Sequence, residues 1–222
     1  SCSFNYSNGE FMIYDHVFPK SDLVSLFCAR IIQLETTDSI LLLHPDAEIG
    51  MPTNSCGLFS SHNFIDKLSL NPLPPSLYIS KSKPYSMRSE WLEKHLAIVL
   101  ALDGAYISTR AKLNLISKDS GEILGSAPIS GKISFNQIHN IQIPSNLSSK
   151  WYGIIHTNPL DITNNNSSCR GDNTYESWFN NLINIPNTIE LRNGLGSENE
   201  PNNIDKILEI AQLYFNENIR TN

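Results

Sequence analysis

The sequence predicts an α+β fold, a single domain in which a mainly antiparallel β meander packs with about four helices. Three observations carry that expectation. From Ala105 to His156, short β-prone runs ("AKLNLIS", "GEILG", "KISF", "NIQI", "WYGIIH") are separated by turn residues in "KDSG", "SAPISG" and "PSNLSS". Segments with helical spacing lie mostly before and after that region, so strands and helices are partly segregated rather than arrayed as regular βαβ units. No internal repeat is present, and 222 residues that are 40% hydrophobic suffice for one sizeable core.

The expected organisation is a polar N-terminal tether over 1–10, an α+β domain over 11–195, a flexible linker over 196–202, and a C-terminal helix over 203–222 packed on the domain. "FMIYDHVF" (Phe11–Phe18) reads as a strand, ended by Pro19. "SDLVSLFCARIIQL" follows with Leu23, Leu26, Phe27, Ile31 and Leu34 on one helical face and Ser21 or Asp22 as N-cap. "SILLLH" is a short buried strand, "LFSSHNFIDKL" a short helix, "NPLPP" a breaker and "SLYIS" a strand. The run from Ser86 to His95 is helical and gives way to a strand from about Ala97, where the residues change character. After the meander, "NTYESWFNNLI" reads as a helix, because Asn173 and Glu176 have the spacing of a capping box. "RNGLGSENEPNN" reads as flexible. The final helix, about Asn203 to Asn216, buries Ile204, Ile207, Leu208, Ala211 and Tyr214.

A net charge of −6 and an isoelectric point near 5.5 argue against a nucleic-acid partner, which calls for a basic face. No apolar run approaches the roughly 18 residues of a membrane span. The chain begins "SCSFNYSNGE" without Met, consistent with a processed, exported protein. "S-C-S" resembles the end of a bacterial lipobox, which would make Cys2 a lipid anchor followed by a polar tether.

Cys2, Cys28, Cys56 and Cys169 form no C-x-x-C or zinc spacing, and their even number allows two disulfides. Cys56 stands ahead of the expected short helix. His156 closes the strand-like "WYGIIH", with Asn158 or Asp161 beyond it. The order Cys56, His156, Asp161 is similar to that of papain-like enzymes and defines a cysteine-hydrolase alternative. The competing reading makes Cys56 a disulfide half or a buried thiol.

"HPDAE" offers His44, Asp46 and Glu48, too few converging ligands for a metal, and no metal or cofactor is expected. There is no G-x-S-x-G, P-loop or G-x-G-x-x-G. "CRGDN" contains Arg170-Gly171-Asp172, a tripeptide that binds integrins in some exposed loops. Without a catalytic signature, the leading expectation is an exported or envelope-associated domain that binds another protein. One version is a periplasmic lipoprotein that neutralises a toxin, with Asp46, Glu48, Arg170 and Asp172 on the contact loops. The other alternative is a host-facing adhesin or effector.

Overall fold

A computed structural model describes residues 12–125, 131–157 and 166–220. Strand β1 (Met12–Phe18) leads through helix α1 (Leu23–Glu35) into β2 (Ile40–His44), which lies parallel to β1 with Val17 opposite Leu41. The helix begins where expected: Asp22 is its N-cap and accepts from the Ser25 amide. Both strands are buried on two faces. Phe18, Ile40 and Leu42 pack with the helices, whereas Val17, Leu41 and Leu43 join Tyr14, Ala111, Ile123, Ile133 and Phe135 on the other side. A strand covered on both faces reads as a continuous apolar run, which is what "ILLL" is.

A small excursion follows: β3 (Leu58–Phe59), α2 (Asn63–Lys67) and β4 (Tyr85–Ser86), with β3 and β4 antiparallel. Helix α3 (Ser89–Leu102) then leads to β5 (Tyr106–Thr109), parallel to β2. Next come β6 (Ala111–Leu115), β7 (Ser120–Gly125) and β8 (Gly131–Ile138); β8 lies parallel to β1 on the side away from β2. The resulting six-stranded sheet has the order β5-β2-β1-β8-β7-β6. Four further strands, β9 (Ser149–His156), β10 (Ser167–Cys169), β11 (Tyr175–Phe179) and β12 (Thr188–Gly196), form a separate antiparallel sheet in the order β10-β11-β9-β12. Helix α4 (Ile204–Asn218), capped by Asn203, shares one core with α1 and α3.

The fold therefore corrects the expectation of a mainly antiparallel meander. The central sheet is mixed, with β5, β2, β1 and β8 parallel; a true meander is confined to β6–β7–β8. The expected break near Ala97 does not occur. Leu92, Leu96, Ala97 and Leu100 are buried on one face of α3, and the helix runs on to Leu102. Gly104, at φ +100°, then turns the chain into β5. The expected helix from Asn173 is instead a tight turn and strand β11. Asn173 adopts a left-handed φ of 64°, the Arg170 amide donates to the Thr174 carbonyl, and Asp172 accepts from the Thr174 amide and hydroxyl. "SLYIS" and "NIQI" form no strand. The stretch expected to be flexible begins as β12 and closes with a bridge between Gly196 and Pro201.

Candidate functional site: a cleft at the strand ends

The chain leaves β1 for a helix on one side while its other neighbour, β8, arrives by a separate route, so a crevice opens beyond the carboxyl ends of the parallel strands. A cleft of about 610 Å³ occupies that place, within the range of small-molecule sites. The β1–α1 turn (Lys20, Ser21, Asp22) and the end of β2 (His44, Pro45) form one wall. Ser55, Glu93, Lys150, Asn193 and Asn202 close it from the other elements.

The turn is tied up by its own side chains. Asp22 Oδ1 accepts from the Ser25 amide at 3.1 Å and from Ser25 Oγ at 2.6 Å, and Lys20 Nζ stands 3.4 Å from Asp22 Oδ2. Ser21 Oγ and His44 Nδ1 are 2.9 Å apart, while His44 Nε2 lies 3.1 Å from the Glu48 carbonyl. Burial pushes the pKa of His44 down, favouring the neutral ring.

Glu93 faces this turn from α3. It is only 5% exposed, and its Oε1 accepts from both Thr53 Oγ1 and Ser55 Oγ at 2.8 Å. Burial raises its pKa to about 7 against the pull of those hydroxyls, and Asp22 adds to the rise.

Beyond the cleft a buried ionic network ties the four-stranded sheet to the start of α3 and to the loop before β3. Arg192 on β12 donates to Ser89 Oγ, Glu90 and Glu190 at 2.8 to 3.0 Å. Arg170 donates to Glu176 Oε2 at 2.6 Å, and Glu176 Oε1 accepts from the Gly57 amide and the Trp178 indole. Burial alone would raise the Glu176 pKa, but Arg170, Arg192 and these donors outweigh it and hold the carboxyl below its usual range. A Cβ at Gly57 would lie 2.1 Å from the Met87 carbonyl oxygen, so only glycine lets this strand approach.

The residues singled out from sequence are dispersed. Cys56 is buried with Leu58, Trp151 and Trp178. Its thiol is pushed well up, first by burial and then by Glu176, the opposite of what a nucleophile needs. His156 lies at the far end of β9, five residues and about 16 Å of strand beyond Trp151, with Nε2 3.0 Å from Ser177 Oγ. Asn158, Asp161 and Cys2 lie outside the described residues. Arg170 is 3% exposed and committed to Glu176, and Asp172 pairs with Arg88 at 2.7 Å, so the Arg-Gly-Asp side chains are not displayed. Asp46 and Glu48 are exposed, Glu48 bound to Lys94 at 2.5 Å. The expected disulfides are corrected as well: Cys28, Cys56 and Cys169 are free thiols. Among the described residues no three His, Cys, Asp or Glu side chains converge as a metal site, and no helix is long and apolar enough to cross a membrane.

Glu93 was not legible as a site residue. It sits mid-helix in "EWLEKHL", and only the fold sets it against Asp22. Asp22 itself was legible as a cap, not as a cleft wall.

No protein-family model matches the chain, and no curated protein sequence does. Solved structures are similar in fold at very low identity. A geranylgeranyl bacteriochlorophyll reductase-like protein from Thermoplasma acidophilum matches with a TM-score of 0.60 and 11% identity, over 85% of this chain and 67% of that one. L-α-glycerophosphate oxidase from Mycoplasma pneumoniae, with FAD bound, matches with a TM-score of 0.54 and 7% identity, over 91% and 94%. The myxobacterial halogenase CndH, a variant of the FAD-dependent halogenases, matches at 0.52 and 9%, over 95% of this chain and 56% of that one. The chain thus spans little more than half of the halogenase. These matches overturn the expectation of an immunity-type lipoprotein or adhesin: the chain has the fold of FAD-dependent oxidoreductases and halogenases.

Proposed function

We propose that this chain is a small-molecule-binding domain on the flavin-dependent oxidoreductase fold. It works through the cleft at the ends of β1 and β2 and does not grip a dinucleotide there in the way typical of such folds. The observation that carries this reading is the Asp22 carboxylate seated on the N-terminus of α1. Dinucleotide folds place a pyrophosphate at that point, approached through a glycine-rich turn.

Three features of the turn fail to fit that group. No glycine occurs between Gly9 and Gly50, so side chains stand where the backbone would have to approach phosphate. Asp22 already supplies the negative charge that the helix N-terminus favours. Across the cleft stands a second carboxyl, Glu93. Of the two lysines of the lining, Lys20 offsets Asp22 rather than Glu93, and Lys150 Nζ sits 4.8 Å from the centre of the Tyr152 ring.

A flavin-dependent redox activity is the second reading. The shared fold and the position of the cleft at the strand switch favour it; it needs FAD held by contacts outside the β1–α1 turn. Flavin absorbance of the purified protein, followed by calorimetric titration with FAD and with ADP, separates the two. The proposal expects colourless protein and no saturable binding of either compound. Bound flavin, or saturable micromolar binding of FAD, establishes the redox reading instead.

A further inference from the structure

We propose that the cleft recognises an organic amine, its ammonium group received by Glu93 with Asp22 opposite and its hydrocarbon part lying on the apolar wall. This rests on the reading of the cleft as a small-molecule site. Glu93 is buried to within 5% and lines the cleft, yet only half of its carboxyl is engaged. Thr53 and Ser55 both donate to Oε1. Oε2 takes no hydrogen bond from a described residue and is not sealed from solvent, since among the described side chains the one buried polar atom without a partner is Ser108 Oγ. A carboxylate oxygen left open in a cleft calls for a donor from a ligand.

The surrounding charges decide which donor. No described cation forms an ion pair with Glu93, although Arg192 attracts it through space, and the neighbouring cations have contacts of their own. Lys20 is on Asp22, Lys94 on Glu48 and Arg192 on Glu90 and Glu190. Lys150 lies over Tyr152, and burial favours neutral His44. An anion would meet the Glu93 carboxyl, with Asp22 beside it already paired with Lys20. A neutral hydroxyl would satisfy Oε2 but leave the repulsion between Glu93 and Asp22 in place, whereas an ammonium relieves both. Leu23, Val24, Pro45, Ile143 and Ile207 supply the apolar wall for the carbon skeleton.

Benzylamine, benzyl alcohol and benzoate, three probes of one shape and different charge, test the assignment by calorimetric titration at about pH 8, where Glu93 is ionised. Wild type is expected to bind benzylamine saturably, about tenfold more tightly than benzyl alcohol, and benzoate not at all. Glu93→Gln keeps the acceptor for Thr53 and Ser55 but turns a donor into the cleft, and should lose benzylamine binding by about tenfold or more. Asp22→Asn keeps a good helix cap and should weaken the amine about fivefold; it carries the test should Glu93→Gln not fold. Amine binding should also release a proton near pH 7, seen as a dependence of the heat on buffer ionisation. Wild type that ignores benzylamine, or variants that bind it as well as wild type, overturn the amine assignment. If FAD and ADP also fail to bind, the proposed cleft function survives that result; saturable FAD binding removes the cleft function itself.

Discussion

Asp22 closes the N-terminus of α1 onto Ser25, its Oδ1 held by both the amide and the hydroxyl of that residue at 3.1 and 2.6 Å. The same aspartate is therefore a structural cap and one wall of the cleft. Asp22→Ala should cost about 1 kcal/mol in urea unfolding, and Asp22→Asn only a few tenths, because asparagine caps nearly as well. Equal losses in the two variants would show that the negative charge, rather than the cap, is what matters.

The Arg170–Glu176 pair is buried almost completely, with side-chain exposures of 1% and 0%. Arg170→Ala leaves Glu176 charged in the interior without its ion-pair partner, offset only by Arg192 and by the Gly57 and Trp178 donors, and should cost roughly 3–5 kcal/mol. Chemical denaturation measures this directly. An effect below 1 kcal/mol would mean that water reaches Glu176.

Stability should depend on pH through two opposed groups. His139 is buried beside His16 and Tyr214, at 2.9 and 3.1 Å, and His16 in turn meets Asp38 at 3.0 Å. Burial, then His16, lowers the His139 pKa to about 3. The unfolded chain therefore takes up a proton first, and this contribution is lost as pH falls through about 6.5; His44, also lowered, acts in the same direction. Glu93, raised to about 7, contributes stability below about 4.5 that is lost as pH rises through 7. Between about pH 4.5 and 6.5 the two slopes, each up to about 1.4 kcal/mol per pH unit, oppose one another. His139→Gln should gain stability on acidification across this window relative to wild type, and Glu93→Gln should lose it. Parallel profiles for all three proteins would refute the assignment.

Trp178 is fully buried against Gly153 and Gly194, where an added Cβ would lie 2.7 and 2.5 Å from the indole ring. Gly153→Ala should therefore destabilise by about 1–3 kcal/mol through overpacking. Cys56 belongs to the same cluster, so its alkylation in wild type should wait for unfolding and should quicken in Gly153→Ala. Rapid labelling of native wild-type Cys56 would contradict its burial.

Local chemistry was enough for the elements whose pattern is self-contained. The aromatic and β-branched run of β1, the apolar run of β2, the cap at Asp22 and the periodic faces of α1 and α4 are written in the sequence. Periodicity and capping act over a few residues, and the structure adopts them. Where two local readings competed, distant partners chose. Tyr175–Phe179 has helical spacing, but β9 offers a strand partner and Arg170 and Gly57 offer Glu176 its buried contacts, so it becomes β11. Arg170-Gly171-Asp172 has the form of a display loop, yet its charges turn inward because Glu176 and Arg88 are there to receive them. The parallel pairing of β1 with β8, across more than a hundred residues, leaves no periodic mark on either strand. That pairing opens the switch-point cleft, and the packing of α3 with α1 in one core sets Glu93 opposite Asp22. The site is thus a product of topology, because the carboxyl groups that define it are 71 positions apart in the chain (93 − 22) and no short-range pattern relates them.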